Sequence, residues 1–547
     1  MTDGYDTFPV LTGADLAAIE QLGERRRTAP GEYLYREGDL NDFFVVVSGE
    51  VEILTRTADG GEQVIATQGA GRFLGELNLL SGLRVFVSAR VVEAGEVLVV
   101  PRPLVQQLIA TRPGLGDTIL GAFIARRADL MEGAASSLRV IASRFSPDSQ
   151  HIAEFLARSR IPREWVDPDR DEDVEGILRQ LGVTPSDLPV VVSAGKVLRR
   201  ATAGTLAEHL GLTVDNLGPD KRCVDLVVVG AGPAGLAAAV YGASEGLRTL
   251  AIEMFGVGGQ AGSSSRIENY LGFPTGISGG DLTQRAEVQA EKFGARFANP
   301  CEAVSLGEEA GHLVVGFSDG SSVAGRAVIA ASGARYRRLE ADGLESCEGQ
   351  GVYYAATDLE ARLCASSPVV VVGGGNSAGQ AALFLAEQGS PVSIVIRGPD
   401  LSAGMSRYLL DRVQVHDRID VWTKTQVTGL EGPPLRSVHL SGPEGETRVE
   451  CAGLFSFIGA DPASGWLSGH AALDDRGFVR TDRALGPDDL DERWTGLGRL
   501  PLPFETSHPG LFAVGDVRSG STKRVAAAVG EGSACVSAVH QHLAYAH

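Results

Sequence analysis

Three glycines, Gly230, Gly232 and Gly235, follow the apolar run VDLVVV, with Pro233 and Ala234 between them at the start of a small-residue stretch. Glycine at these spacings lets a backbone turn tightly and approach a pyrophosphate held at a helix N-terminus. Glu253 closes the next apolar run, RTLAIE, about 20 residues further on, where a carboxylate can hold a ribose hydroxyl pair. A second stretch of the same kind starts at VVVVGGGNSAG. There Gly373, Gly375 and Ala378, with Asn376 and Ser377 between them, open another small-residue helix. Its following strand, VSIVIR, ends in Arg397 rather than an acid, and a cation there suits a 2′-phosphate, favouring NADPH over NADH. Near the C-terminus GLFAVGD runs a strand into Gly515 and Asp516, with a helix expected from about Thr522. A strand-end acid beside a helix N-terminus can hold a ribityl hydroxyl. Two nucleotide units in one chain predict two nucleotides.

The elements that must position these residues are legible around them. From 223 onward, strands alternate with helices in the manner of a doubly wound α/β protein. Between 138 and 212 the order is more compact: strand LRVIAS, helix from SPDSQ, strand EWV, helix DVEGILRQLG, strands PVVVS and KVLRR, and helix TLAEHLG. This order predicts a mixed sheet covered by helices. Inside it, Ser146 and Ser149 flank Pro147 and Asp148. Ser146 reads as an N-cap with proline at the first helical position, and the four residues also have the spacing of a Cys-Pro-x-Cys pair with oxygen in place of sulfur. Up to about 130, short alternating runs separated by Gly and Asp predict a small antiparallel β unit, followed by helical pattern at VQQLIA and DTILGAFIARRADLM. GAASS (133–137) and NLGPDKR (216–222) read as linkers.

A chain of 547 residues exceeds one core and predicts roughly three to five domains. Its 70 glycines are about twice the usual share, as nucleotide-binding folds require. A formal net charge of -20 disfavours nucleic acid and anionic membranes as partners, since both demand a basic face. The start, MTDGYDTFPV, lacks the charge and apolar core of a targeting segment, and no run of about 18 apolar residues occurs, so a cytoplasmic location is expected. Six cysteines, none spaced as CxxC or as metal ligands, read as free buried thiols, and no metal is expected.

With GAGPAG, GGQAGSSSRIENYLGFP (258–274), IAASGA (329–334), GGGNSA and GLFAVGDVRSGSTKR in this order, residues 223–547 resemble the thioredoxin reductase family. The resemblance implies an FAD domain in two segments (222–335 and 455–547) around an inserted NAD(P)H domain (336–454), in a homodimer. It also implies hinges near 335 and 455, about which the inserted domain rotates. FAD would contact Gly232, Glu253, Gly259, Gln260, Asn269, Gly333, Asp516 and the Arg524–Val525 backbone. Residues 138–215 resemble a glutaredoxin-like or thioredoxin-like module, with serines at both thiol positions and Leu188-Pro189 where that family keeps a cis proline. Residues 1–132 resemble a cyclic-nucleotide-binding domain, a β-roll with helices, in which Gly75, Glu76, Ser88 and Ala89 fall on effector-binding positions.

Three departures shape the expected function. Ala355 and Asp358 stand where the reductase family has its redox dithiol, so no sulfur route leads from flavin to a disulfide. Asp358 becomes a candidate proton donor. Gly398 replaces the second arginine of the family's phosphate clamp, with Arg407 a candidate substitute. Val87 stands at the cassette's arginine position and cannot pair with a phosphate, which leaves open whether the domain takes cyclic AMP, another nucleotide or nothing. The expectation is an FAD-dependent NADPH oxidoreductase that passes electrons to a non-disulfide acceptor and is regulated by its N-terminal domain. The alternatives are a non-enzymatic flavin- or nucleotide-responsive sensor or docking protein, and a thioredoxin-disulfide reductase borrowing other thiols such as Cys364.

Overall fold

The computed structural model describes residues 5–56, 61–132, 138–143, 146–159, 161–171, 174–193, 195–213, 223–264, 266–348, 350–354, 356, 358–364 and 366–545. Both expected linkers lie outside them. The chain divides into two compact units, Met1–Val229 with Leu236–Val257 and Arg285–Val328, and Gly230–Gly235 with Gly258–Gln284 and Ile329–His547.

In the first unit, the valine-rich and phenylalanine-rich runs form an antiparallel sheet. Glu24–Thr28, Ser88–Val100, Phe43–Arg56 and Glu62–Gln68 lie side by side, with Tyr33–Tyr35 on the second and Phe73–Leu74 on the third. Phe43, Phe73 and Phe123 pack ring on ring at 5.4 to 6.3 Å, fixing the helix Pro113–Glu132 to the roll. The module at 138–212 forms a four-stranded mixed sheet in the order Lys196–Leu198, Val190–Ser193, Arg139–Ile141, Glu164–Val166, only the last pair parallel. Its helices are Pro147–Arg158, Val174–Leu181 and Ala203–Leu210, and the Leu188–Pro189 peptide is cis. Ser146 holds the N-cap position with Pro147 following, but its hydroxyl makes no capping bond, contrary to the cap reading. Ser149, one turn in, is buried. The unit ends in the parallel strands Cys223–Val229, Thr249–Ile252 and Arg296–Ala298, continued by the antiparallel Ser322–Ala330, His312–Phe317 and Ala303–Glu309.

The second unit holds a five-stranded parallel sheet ordered Val352–Tyr353, Gly453–Ser456, Val369–Val372, Val392–Val395, Ile419–Trp422. Its central strands Val369–Val372 and Gly453–Ser456 are buried on both faces, which is why the first reads as an unbroken valine run and the second as mostly apolar. A three-stranded antiparallel sheet (Gln426–Glu431, Ser437–Gly442, Gly445–Glu450) sits beside it. The boundary expected at 454/455 falls within the strand Gly453–Ser456, and just outside it Ala334–Tyr336 pairs with Ala460–Pro462. The last helix is Val525–Tyr545, so it begins three residues later than expected, after a bend at Thr522–Arg524. No described helix is long and apolar enough to cross a membrane.

Candidate functional site

The first glycine turn is a backbone crossing. Gly230 has φ +103°, and a Cβ there would fall 2.3 Å from Ala331 O. Gly258 N donates to Ala231 O (2.8 Å), and a Cβ on Gly259 (φ +54°) would meet Gly232 Cα at 2.9 Å. From the other side, Gly515 (φ +70°) and Gly532 press on Ala234, with Cβ positions 2.9 Å from its Cβ and 2.0 Å from its oxygen. Four segments distant in sequence therefore converge where only glycine fits, and they leave the N-terminus of the helix Pro233–Ser244 as an anion seat.

The other expected contact residues are divided between the two units. Gly333 has φ +68° and its carbonyl accepts Ala463 N. The Gln260 amide donates to Ala334 O. Asn269 and Arg524 are exposed, and Val525 opens the last helix. In the first unit, Glu253 follows the strand Thr249–Ile252, its Oε1 accepting Met254 N (3.0 Å) and Phe255 N (3.2 Å). Asp516 is half-buried, and burial pushes its carboxyl up, partly offset by Lys523. Sequence reasoning missed Glu531, which accepts Gly515 N at 2.7 Å and pairs with Arg518 at 2.5 Å, pinning the Gly-Asp turn from the last helix.

The second turn repeats the device. Gly373 has φ +137°, and a Cβ there would fall 2.3 Å from Phe457 O. Gly375 is the N-cap of the helix Asn376–Glu387, in which Ala378 is buried and Ser377 exposed. Ser406 N donates to Asn376 Oδ1 (2.7 Å), and Gly404 closes on Gly374 O, so the loop after Arg397 folds back over the turn. Arg397 is exposed at the strand end, and Arg407, also exposed, pairs with Asp411 at 2.9 Å. The Asp400 carboxylate accepts Ser402 N and Oγ, which occupies it inside the loop.

Around the expected dithiol position, Ala355 lies outside the described residues. Asp358 opens the helix Asp358–Cys364, with its side chain likewise outside. Tyr354 donates to Glu348 (2.7 Å), which pairs with Arg338, and burial raises the phenol above its usual range. The six cysteines are free. Burial pushes Cys364 up to about 11 and Cys301 and Cys451 to about 12, and raises Cys535 well above its ordinary value. Such thiols are poor nucleophiles. Among the described residues no His/Cys/Asp/Glu group could hold a metal.

In the N-terminal cassette, Gly75 has φ +136° and Leu79 packs where its Cβ would be. Glu76 is buried, accepting Asn78 Nδ2 at 3.0 Å, with Arg127 Nη2 3.4 Å away. Val87 and Ala89 are packed in the roll's core, and the Ser88 hydroxyl accepts Glu37 N. Arg84, exposed, donates to Gly38 O (2.8 Å).

Residues 224–532 match the pyridine nucleotide-disulphide oxidoreductase family, and residues 25–112 match the cyclic nucleotide-binding domain. The thioredoxin reductase of Mycolicibacterium smegmatis is 33% identical over 314 residues, 57% of this chain and 93% of that protein. That of Bacillus subtilis strain 168 is 30% identical over 331 residues, 59% of this chain and 96% of that protein. Among solved structures, the thioredoxin reductases of Lactococcus lactis (FR conformation) and T. acidophilum are each 26% identical, with TM-score 0.52 and cover of 59% of this chain and 99% of theirs.

Proposed function

Since the chain belongs to the pyridine nucleotide-disulphide oxidoreductase family, we propose that it is an FAD-dependent NADPH oxidoreductase whose electrons go to an acceptor other than a disulfide. The observation that carries the reading is the pairing of two complete glycine cradles with a substrate segment that has no thiols at 355 and 358. The cradle at Gly230 fits FAD: every close approach there is one that a Cβ would fill. Bound FAD would supply hydride acceptance and onward electron transfer. Gly230–Gly235 and the following helix end would seat its pyrophosphate, Glu253 its ribose, Asp516 its ribityl chain, and the Val525 helix end the electron-rich edge of its ring. Gly373–Ala378 would seat NADPH, with Arg397 and Arg407 on the 2′-phosphate. Asp358 would hold the proton that accompanies electron transfer to the acceptor. The acceptor classes that fit are a quinone-like small molecule, a ferredoxin-like protein or oxygen. The burial of Cys364 and Cys451 speaks against a borrowed-thiol disulfide reductase.

The 138–215 module is read as a thioredoxin-like fold without redox chemistry, and the N-terminal domain as the regulator, with a cyclic nucleotide as its effector. The chain is read as a cytoplasmic homodimer.

Anaerobic mixing with NADPH tests the core claim. The expected result is bleaching of the flavin band within seconds and repeated turnover with a quinone, unchanged when the cysteines are alkylated. Colourless protein, or a flavin band that NADPH never bleaches, refutes it. A single reduction that then stalls with every acceptor favours a sensor.

A further inference from the structure

The thiol-less module is tied on one side to the cassette and on the other to the turn that carries Glu253. Leu83 and Phe86, at the cassette's exit, are buried in the module's core with Ile152, Phe155 and Leu206. On its far side, Asn299 N donates to Leu212 O (3.2 Å), Ser159 Oγ lies 3.5 Å from Asn299 Oδ1, and a Cβ on Gly256 would fall 2.5 Å from Arg158 Cβ. Gly256 and Asn299 flank Glu253, whose N–H donates to Ala298 O (3.0 Å) and whose carbonyl accepts Cys301 N (2.7 Å). The module therefore packs directly against the residues on both sides of the Glu253 turn.

A charged seam runs beside this apolar path. Val288 is buried in the N-terminal domain's own core, and Gln106 Nε2 donates to Glu291 O (3.3 Å). The buried Glu291 carboxyl sits in the fields of Arg127, Arg102, Arg296 and Glu287. Arg127 is also the guanidinium beside Glu76. Arg127 Nη2 also donates to Asn78 Oδ1, so a ligand hydroxyl donating to Glu76 would disturb a Glu76–Asn78–Arg127 cluster whose guanidinium charge is felt at Glu291. Where the paths meet, Leu83, Ser159, Glu291 and Asn299 help line a cavity of ≈ 30 Å³. That is room for a water, and slack for a side chain to move without a clash.

We propose that the module is a coupling wedge, through which occupancy of the cassette at Glu76 changes the affinity of the Glu253 turn for the adenosine end of FAD. The proposal rests on the reading of Glu253 as an FAD contact. Linkage makes the effect reciprocal: FAD shifts effector affinity by the same factor.

The test is the FAD affinity of flavin-stripped full-length protein, read by quenching of FAD fluorescence, with and without 3′,5′-cyclic AMP. Wild type is compared with Glu291→Gln, which keeps shape, and Leu83→Ala, which unplugs the module core; thermal melts verify that both are folded. In wild type, cyclic AMP is expected to shift the FAD Kd by about tenfold, within the usual range of such couplings. In both variants the shift falls below about twofold, and the nucleotide-free FAD Kd itself moves by more than about threefold. Variants that match wild type in both respects overturn the wedge. If cyclic AMP leaves the wild-type FAD Kd unchanged, the coupling is overturned, even where the variants themselves move that Kd. A chain that takes up no FAD refutes both the wedge and the function it rests on.

Discussion

At Gly230 the strand-to-helix turn is closed from outside by Ala331 O, and at Gly373 the equivalent turn is closed by Phe457 O, each 2.3 Å from where a Cβ would be. Beyond that shared device the two regions diverge. The first is pinned by segments from across the chain, including Gly258–Gly259 and the Gly515 turn, and the strand in register with it leads into the carboxylate Glu253. The second is covered by one local loop, 398–406, and its strand end is the exposed Arg397. On the proposed reading, the difference would separate a site that retains FAD from one that exchanges NADPH. A cradle closed by remote segments must open through several of them, whereas a local loop releases a ligand by moving alone.

The largest expected effect comes from giving each turn a Cβ. Gly230→Ala, strained by positive φ and by the clash with Ala331 O, is expected to yield protein without a flavin band and about 1–3 kcal/mol less stable. Gly373→Ala is expected to keep its flavin but lose at least about 100-fold in NADPH bleaching rate. Absorbance spectra and stopped-flow rates distinguish them. If Gly373→Ala also loses flavin, the two cradles are not independent.

Charge at the strand ends is the next lever. Arg397→Ala, which removes one proposed 2′-phosphate contact, is expected to raise the KM for NADPH about tenfold, about 1.4 kcal/mol, while the KM for NADH stays put. Equal rises for both would assign Arg397 no part in 2′-phosphate recognition. Glu531→Gln weakens the clamp on Gly515 and Arg518, and a few-fold faster flavin release in a dilution assay is expected.

The smallest effect concerns acid. Arg448, with Ser437 and His439, holds the exposed Glu431 carboxyl down at about 2. A depressed carboxylate stabilises the fold above its ordinary value of 4.5, and the contribution is lost as pH falls from there toward 2. Near-ultraviolet circular dichroism across that window is expected to show wild type losing slightly more than Glu431→Gln, whose side chain does not titrate. Identical profiles would mean that this ion pair, partly open to solvent, adds nothing.

Both turns were legible because positive φ and backbone crossings admit only glycine, so the constraint is written in residue type. Val87 and the serines at 146 and 149 were legible as departures from a pattern for the same reason. Glu531 and Arg127 were not, because each acts from a long helix on a separate turn, 16 residues away for Glu531 and Gly515 and 51 for Arg127 and Glu76. Charged residues on a helix usually face solvent, and nothing in the local sequence marks the two that turn inward. The hydroxyl of Ser146 misled in the opposite way, since a good capping residue in the capping position still made no bond. Position and side-chain geometry are separate questions.

The strands Ala334–Tyr336 and Ala460–Pro462 run side by side, with Tyr336 opposite Ala460. The 123 residues between them, 337 to 459, therefore leave and rejoin the chain at one place. Such a segment is a removable cartridge. Joining 336 to 460 by a short turn would leave the flanking segments as one continuous chain, and 337–459 could be expressed alone with its two ends already adjacent. Exchange of this segment between relatives would then need two cuts at a single crossing, and if it carries the pyridine-nucleotide site as proposed, that is a low barrier to acquiring a new electron source while the cradle at Gly230 stays unchanged.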